Sequence, residues 1–280
     1  MAPVKASLII TTYNWPEALA VCLNSALKQS YANFEIIIAD DGSKAPTADT
    51  VQRLLRLAAR PWRHVRHDDS GIRQARIKNL AARYATGDYF IFIDHDVVLH
   101  PCFIRDHIEN AEQDCFLQGK RVFLPQPLTR RSLEQGVLDP PSLLTRGLGN
   151  RKNAWYCPSL GKHMARKKRF QVTLRGCNLS IPRRIFETVD GYDETFDGIW
   201  GREDSDICYR MFHSGFRIKN LWWTGLQYHL DHPAIKHTRR DRLDEELDRI
   251  RTERRTRALH GYSILSPEGR IVASSEKNDM

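Results

Sequence analysis

The sequence contains no apolar run long enough to cross a membrane. A membrane-spanning helix needs ~20 consecutive apolar residues, whereas the longest runs here are short stretches such as Ser7–Ile10, Glu35–Ala39 and Tyr89–Ile93. The N-terminus also lacks the pattern of a signal peptide, because Lys5 is followed by only a few apolar residues. We therefore expect a cytoplasmic protein, either free or peripheral at the cytoplasmic face of the membrane.

Cysteine is scarce and dispersed. The six cysteines form no CxxC pair, which excludes a dense disulfide framework and suits a reducing compartment. A chain of 280 residues buries roughly three quarters of the surface that its unfolded form exposes. The fold can therefore rest on packing alone, without disulfides or a structural metal.

Positive charge is in excess, and one segment carries nearly all of it. The net charge is +9, and residues 125–170 hold ten Lys and Arg against only Glu134 and Asp139. Such a segment attracts anions, whether nucleic acid, acidic lipid, phosphorylated glycan or nucleotide diphosphate, although a solubilising face is an equally good interpretation. Because periodicity also fails there and Pro and Gly are frequent, we predict an extended or mobile insert.

The first hundred residues alternate strand-like and helical patterns. Apolar runs predict strands and amphipathic patterns predict helices; the strands are 6–12, 34–39 and 88–93, and the helices about 16–29, 47–59 and 72–85. This βαβ rhythm is typical of a parallel sheet with helices on its faces.

Regular patterns resume after the insert. They predict a strand pair around 171–181, a helix from Pro182, a helix at about 203–213, and strands near 216–219 and 222–229. Residues 238–257 are highly charged, with a thin apolar line at Leu243, Leu247 and Ile250. We predict a helix docked by one edge, with binding to a membrane surface as the alternative.

Two acidic clusters follow predicted strands. Asp40 and Asp41 come directly after the strand that ends at Ala39. They are typical of a turn, but ligands of open α/β sheets bind at this position, outside the carboxyl ends of the strands. The second cluster is Asp94-His95-Asp96. Because side chains alternate in extended chain, both carboxylates point to one side and His95 away, which suits Mg²⁺ or Mn²⁺ unless these are simply solvated acids.

Two further clusters lie in the second half. Glu203, Asp204 and Asp206 open a predicted helix just after Trp200 and Gly201. Capping of the helix dipole can explain such acids, but a carboxylate beside apolar walls is also what a general base requires. The other cluster, residues 228–233, places two histidines and an aspartate after an apolar strand, which is typical of a solvated loop or of a metal site.

The chain resembles the inverting family-2 glycosyltransferases of GT-A fold, and its second half is similar to the galactosyltransferase-type C-terminal module found in some of them. The resemblance follows the chain in order except for the insert and the tail. The segments that carry it are SLIITTYN (7–14), IIIADDGS (36–43), GIRQARIKNLAARYATGDYFIFIDHDVVL (71–99), RGCNLSIPRRIFETVDGYDETF (175–196), IWGREDSDICYRMFHSG (199–215) and YHLDHP (228–233).

The resemblance implies a role for each matching residue. Asp204 would be the catalytic base and Glu203 would orient the donor or acceptor sugar. Asp96 and His229, with His232 as a further candidate, would ligate Mn²⁺ or Mg²⁺. The nucleotide-sugar site would be formed by Thr12, Asn14, Asp40, Asp41, Arg76, Lys78, Asn79, Asp94, His95, Trp200 and Gly201.

The resemblance also implies an α/β organisation of one GT-A (Rossmann-like) domain, with a central mostly parallel sheet, a small second sheet and a C-terminal charged helix. We expect a nucleotide-sugar-binding half at 1–124, the basic insert at 125–170, an acceptor-binding and catalytic half at 171–236, and a charged helical tail at 237–280. Within the insert, basic and aromatic residues are not interleaved on a predicted strand or recognition helix, which disfavours nucleic acid as partner.

The implied activity is a metal-assisted, inverting transfer from a UDP-sugar, namely UDP-galactose, UDP-N-acetylgalactosamine or UDP-N-acetylglucosamine. The acceptor would be a growing glycan or glycolipid, such as lipopolysaccharide or capsule. Three alternatives stay open: a GDP- or dTDP-sugar donor, a polyprenyl-phosphate acceptor, and a non-enzymatic protein that binds an anionic polymer. The sequence does not indicate an oligomeric state.

Overall fold

The computed structural model describes residues 4–171, 175–233, 241–264 and 269–275. The strands in this part of the chain are β1 (Ala6–Thr12), β2 (Phe34–Asp40), β3 (Trp62–Arg66), β4 (Tyr89–Asp94), β5 (Val97–Leu99), β6 (Cys115–Gln118), β7 (Arg121–Phe123), β8 (Lys167–Lys168), β9 (Asn178–Pro182), β10 (Arg217–Asn220), β11 (Gln227–His229) and β12 (Arg270–Ser274). The helices are α1 (Pro16–Leu27), α2 (Ala45–Leu55), α3 (Gln74–Tyr84), α4 (Phe103–Asn110), α5 (Gln126–Gln135), α6 (Pro158–Met164), α7 (Arg183–Thr188), α8 (Glu203–His213) and α9 (Asp241–Glu253).

A nine-stranded sheet forms the centre of the fold, in the order β12-β3-β2-β1-β4-β9-β6-β10-β8. The four strands β3, β2, β1 and β4 run parallel, and β6 and β10 have the same direction because both β4 and β6 pair antiparallel with β9. Only β8, β9 and β12 run the other way. The prediction of a mostly parallel α/β sheet is confirmed.

Both faces of this sheet are covered. In β4, Phe90 and Phe92 pack into the core beneath α3, α7 and α8, whereas Ile91 and Ile93 pack into the core beneath α1, α2 and α4. Strands buried on two faces are apolar at every position rather than at alternate ones. This burial explains why the apolar runs of the sequence identify β1, β2 and β4 well.

A small second sheet, in the order β5-β11-β7, lies beside the end of β4. It pairs His229 of β11 with Val97 of β5 on one side and with Phe123 of β7 on the other. Since β5 begins directly after the Asp94-His95-Asp96 turn, this pairing brings the end of β11 to that turn. The predicted small second sheet is confirmed.

The basic segment 125–170 is more regular than the sequence indicates. It contains α5 and α6, and Leu128, Leu133 and Leu148 pack with Val122 and Tyr228 in a third apolar cluster. The prediction of irregular structure is therefore wrong for the two helices. Their apolar residues are too widely spaced among Pro, Gly and basic residues to show a helical period.

The C-terminal charged helix is present as α9, and its apolar line is buried. Leu243, Leu247 and Ile250 join the core that covers α8, so they dock on the protein and are not available to a membrane surface. Residues 172–174 of the predicted strand pair and 238–240 of the predicted helix lie outside the described residues. None of the described helices is long and apolar enough to cross a membrane.

Candidate active site

A cavity of about 660 Å³ opens at the carboxyl end of β4, between the second sheet and the start of α8. It brings together residues that are up to 158 positions apart in the chain, between Gln74 and His232. The predicted site residues that line it are Lys78, Asp94, Asp96, Trp200, Gly201, Glu203, Asp204, His229 and His232.

Asp96, His229 and His232 form the candidate metal centre. Their potential ligand atoms all lie within 4.8 Å of one another. Asp96 Oδ2 is 3.3 Å from His229 Nε2 and 3.0 Å from His232 Nε2. The backbone fixes this arrangement, because the Leu230 amide donates a hydrogen bond to the Asp96 carbonyl oxygen at 2.9 Å.

The two histidines are oriented for metal binding. His229 Nδ1 lies 2.7 Å from the Leu230 carbonyl oxygen, and His232 Nδ1 lies 3.0 Å from that of Pro233. A carbonyl oxygen can only accept, so each Nδ1 carries a proton, and each Nε2 is left on the side of Asp96, where it can serve as a ligand atom. Asp96 Oδ1 is buried and has no hydrogen-bond partner among the described residues. One carboxylate and two imidazoles with an orphaned buried oxygen therefore fit Mn²⁺ or a similar divalent cation.

Asp94 and His95 separate to opposite sides of the turn. Asp94 lines the cavity with Asp96, and burial together with the Asp96 charge raises the pKa of Asp94 to about 7. His95 turns away: its Nδ1 lies 3.1 Å from the Thr11 carbonyl oxygen and its ring packs edge-on against Trp15. Of these two predicted nucleotide-sugar residues, only Asp94 reaches the cavity.

Glu203 and Asp204 lie in the first turn of α8, where they meet a buried lysine from α3. Lys78 Nζ donates to Glu203 Oε1 at 3.1 Å and to Asp204 Oδ1 at 3.2 Å. Burial alone would lower the pKa of Lys78, but the two carboxylates outweigh it and raise that pKa, so the lysine is charged. Burial raises the pKa of Glu203. The lysine thus fixes both acids at one wall of the cavity.

Gly176 holds the other oxygen of Asp204. Its backbone amide donates to Asp204 Oδ2 at 2.9 Å. A Cβ atom built on Gly176 would lie only 1.9 Å from Asp204 Oδ1. The carboxylate therefore occupies the space that any other side chain would need, and the sequence alone gave no sign of this contact.

Asp206, the third acid of the cluster, has a structural role. It is fully buried and forms a two-point ion pair with Arg210, in which Nε donates to Oδ1 at 2.9 Å and Nη2 donates to Oδ2 at 2.5 Å. The ion pair with Arg210 accounts for this residue without a role in the cavity. Glu203 and Asp204 are the two that face the cavity.

Thr12, Asn14, Asp40 and Asp41 lie together at the ends of β1 and β2, but they do not line this cavity. Asp40 accepts hydrogen bonds from the Ser43 amide at 2.7 Å and pairs with His64 at 2.8 Å. Burial would raise the pKa of Asp40, and these contacts outweigh it and lower that pKa. The Asp41 amide donates to the Thr12 carbonyl oxygen, and Asn14 Oδ1 accepts from the Lys44 amide at 2.8 Å.

Asp41 connects these residues to a second depression. Its Oδ1 lies 2.6 Å from His67 Nε2, and His67 lines a cavity of about 480 Å³ together with Arg66 and Arg73. Asp41 is therefore next to this second cavity, and none of the four residues lines the first.

Arg76 and Asn79 of α3 also lie outside the main cavity. Arg76 Nη1 donates to Glu194 Oε2 at 3.0 Å and lines a separate, smaller depression. The fully buried Asn79 exchanges two hydrogen bonds of 2.8 Å with the backbone of Tyr192. Both side chains fix α3 to the segment before α8, which is how Lys78, between them in sequence, reaches Asp204.

Several cavity residues were not singled out from the sequence. Arg121 has no acidic partner among the described residues, and its guanidinium lies 4.8 Å above the Phe123 ring. Arg175, Gly176 and Gln74 line the same space. Arg175, Gly176 and Gln74 lie in segments that carry the family resemblance, which is the signal that could have identified them, whereas Arg121 lies outside those segments.

Two family models match the chain. The model described as "Glycosyl transferase family 2" matches residues 7–173, and the model described as "N-terminal domain of galactosyltransferase" matches residues 162–233. The first covers well over half of the chain and contains Asp94 and Asp96. The second contains Glu203, Asp204, His229 and His232.

Proteins with similar sequences include a hyaluronan synthase and a glucosyltransferase. The chain is 24% identical over 255 residues to the hyaluronan synthase of Pasteurella multocida, covering 85% of this chain and 26% of that protein. It is 28% identical over 228 residues to the validoxylamine A glucosyltransferase of Streptomyces hygroscopicus subsp. jinggangensis, covering 75% of this chain and 51% of that protein. The chain therefore spans between about a quarter and a half of the length of these relatives.

Solved structures share the fold at low sequence identity. S. aureus TarS 1-349 in complex with UDP-GlcNAc superimposes with a TM-score of 0.65 at 17% identity, over 89% of this chain and 66% of that one. The mannosyltransferase PcManGT of Pyrobaculum calidifontis, in complex with GDP-Man and Mn²⁺, gives 0.56 at 17% identity, over 82% of this chain and 58% of that one. With this shared GT-A fold and the family model that matches most of its length, the chain belongs to glycosyl transferase family 2.

Proposed function

We propose that this chain transfers a sugar from a UDP-sugar to a hydroxyl group of a glycan or glycolipid, with inversion at the anomeric carbon. One observation carries the proposal. A carboxylate suited to a general base, Asp204, and a divalent-cation site, Asp96 with His229 and His232, line the same cavity. Together these are the two groups that such a displacement requires.

The cation site would hold the diphosphate side of the donor. A Mn²⁺ or Mg²⁺ ion bound there supplies positive charge against the departing diphosphate. Arg121 adds a second cation beside His229, on the same wall. Asp94, the carboxylate nearest this centre in sequence, is placed to meet the ribose or the transferred sugar.

Asp204 would act on the acceptor. As the acceptor hydroxyl attacks, its proton passes to an Asp204 oxygen and its oxygen forms a bond to the anomeric carbon. The bond from that carbon to the diphosphate breaks, and the diphosphate leaves with the electron pair. A positioned base contributes typically ~10²–10⁴ in rate. A single displacement without an enzyme nucleophile inverts the anomeric centre, so an α-linked donor gives a β-linked product.

Glu203 and the Lys78 ammonium keep this base in place. Lys78 holds one oxygen of Asp204 and the Gly176 amide holds the other. Glu203 shares the lysine and, with Trp200 and Gly201 at the cavity rim, is placed to orient the sugar. We assign residues 1–124 to nucleotide-sugar binding and 171–236 to the acceptor and catalysis, because Asp204 lies in the second range and Asp94 and Asp96 in the first.

The donor is a UDP-sugar with galactose, N-acetylgalactosamine or N-acetylglucosamine in this proposal. The superposition on TarS in complex with UDP-GlcNAc supports uridine. The superposition on PcManGT with GDP-Man and Mn²⁺ supports the metal and keeps a GDP-sugar as the second candidate.

A thermal-shift comparison of UDP, GDP, dTDP and CMP tests the proposal, each with Mn²⁺ and with EDTA. A ligand that binds only the folded state raises the melting temperature by mass action. We expect the largest rise with UDP and Mn²⁺, and loss of that rise in EDTA. A larger rise in melting temperature with another nucleotide would show that the donor carries that nucleotide instead of UDP. No rise with any of the four would refute the proposal that the chain is a nucleotide-sugar transferase.

A further inference from the structure

A cluster of cations adjoins the cavity at Arg175. We call Lys120, Lys152, Lys168 and Arg175, together with Trp222, the cationic patch. Lys120 Nζ lies 4.5 Å above the Trp222 ring and donates to Asn220 Oδ1 at 3.0 Å. Arg175 lines the cavity itself.

The charges of the cationic patch are not balanced. None of its four cations forms an ion pair with a carboxylate among the described residues. By contrast, Lys167, the neighbour of Lys168 in β8, pairs with Glu112 and Asp114. Lys120 is partly buried, and burial together with its three cationic neighbours lowers the pKa of Lys120 to about 8. Holding like charges together in a partly buried place is costly unless an anion joins them.

The cationic patch lies next to the proposed base. Arg175 directly precedes Gly176, whose amide holds Asp204 at 2.9 Å, and its own amide is fixed by Gln118 Oε1 at 3.0 Å. An acceptor hydroxyl delivered to Asp204 would therefore have its next sugar unit beside Arg175 and Lys120.

The aromatic surroundings fit a carbohydrate. Trp222 contacts Trp223, and Trp223 contacts Trp155, with ring centroids 6.5 and 5.4 Å apart. Trp155 is 46% exposed, so the tryptophans form a partly open apolar surface beside Lys120. Cations next to flat aromatic surfaces match a sugar that carries an anionic group.

Resting on the proposed function, we infer that the acceptor is an acidic glycan, with a carboxylate or phosphate group on the unit next to the accepting sugar bound by Lys120 and Arg175 against Trp222. Arg121 is the cation assigned to the donor, because it lies beside His229. The cationic patch is separate from it and serves the acceptor.

Matched pairs of oligosaccharides test this inference on the full chain. One pair is a uronate-containing oligosaccharide and its carboxyl-reduced form; the other is an oligomer of a polyol phosphate and its dephosphorylated form. We expect one anionic member to bind more tightly than its neutral counterpart, with a difference that shrinks as salt is raised. The pair that shows the difference identifies the anionic group. Equal binding within both pairs would overturn the inference.

The variant K120Q/R175Q and the control R130Q/R131Q each remove two positive charges. Arg130 and Arg131 are exposed on α5 and line none of the cavities described above. We expect K120Q/R175Q to weaken binding of the anionic acceptor by about tenfold or more, because hydrogen bonds to a charged group are lost. The neutral acceptor, the UDP affinity and the control variant should change less than about twofold.

Other outcomes separate this inference from the proposed function. If K120Q/R175Q weakens binding of UDP and leaves binding of the acceptor unchanged, the cations bind the donor and the inference is wrong. If it instead removes binding to phosphatidylglycerol vesicles while glycans show no charge preference, the cationic patch faces a membrane and the inference is again wrong. Failure of the unaltered chain to bind any nucleotide would refute the proposed function and this inference with it.

Discussion

Replacing Gly176 by alanine tests whether the contact between Gly176 and Asp204 positions the proposed base. The new Cβ would lie 1.9 Å from Asp204 Oδ1, whereas ordinary contact begins at 3.4 Å. The carboxylate must therefore move by about 1.5 Å, and a misplacement of about 1 Å can cost on the order of 10²-fold in rate. We expect kcat to fall by about 10²-fold, equivalent to about 3 kcal/mol of lost transition-state stabilisation.

The assay is release of UDP from a UDP-sugar with acceptor, together with UDP affinity and melting temperature. Gly215→Ala is the control, because Gly215 has a φ of +85° and a Cβ there meets nothing within 4 Å. That variant should lose about 1 kcal/mol of stability through backbone strain and keep its kcat. In Gly176→Ala the UDP affinity should stay unchanged. A kcat within threefold of the unaltered chain would refute the assignment of Asp204 as the base that Gly176 positions.

Three further predictions follow from the described contacts. His229→Ala should abolish the EDTA-sensitive thermal stabilisation by UDP and Mn²⁺, and the exposed His163→Ala should retain it; retention in both would remove His229 from the metal site. Asp206→Ala should lower the free energy of unfolding by about 3 kcal/mol or more because Arg210 is left buried and unpaired, and a loss below about 1 kcal/mol in denaturant titration would contradict this. Burial lowers the pKa of His107 to about 3 in the folded chain, against 6.5 for an ordinary histidine. The neutral, buried His107 therefore contributes fully to the free energy of unfolding above pH 6.5, and this contribution is lost as the pH falls towards 3. At about pH 5 that loss is about 2 kcal/mol, and His107→Gln should show a correspondingly smaller change in unfolding free energy between pH 7 and 5.

The sequence predicts well those parts of the fold whose side chains obey a local rule. The strands β1, β2 and β4 are apolar because both faces are buried, and the turn after β4 separates Asp94 and Asp96 from His95 as alternation requires. Short strands of mixed composition, such as β3 and β7, have no such rule. Which residue types fit in these strands depends on packing partners that are distant in sequence, and no strand was predicted for either.

In the candidate site, too, the contacts that depend on residues distant in sequence could not be predicted from local patterns. Asp96 and His229 are 133 positions apart in the sequence, and their proximity depends on the pairing of His229 with Val97 across β11 and β5. The contact between Gly176 and Asp204 is of the same kind. A resemblance to a family indicates the residues at both ends of such contacts, but only the fold shows that Arg76 and Asn79 turn away from the cavity while Lys78 enters it.

We propose that Asp96, His229 and His232 bind a divalent cation in the cavity that contains Asp204. Crystals grown with Mn²⁺ and UDP, measured at the manganese absorption edge, test it directly. We expect an anomalous peak within bonding distance of Asp96 and of both Nε2 atoms, with the diphosphate of UDP on its far side. A peak elsewhere, or bound UDP with no peak at these three residues, would contradict it.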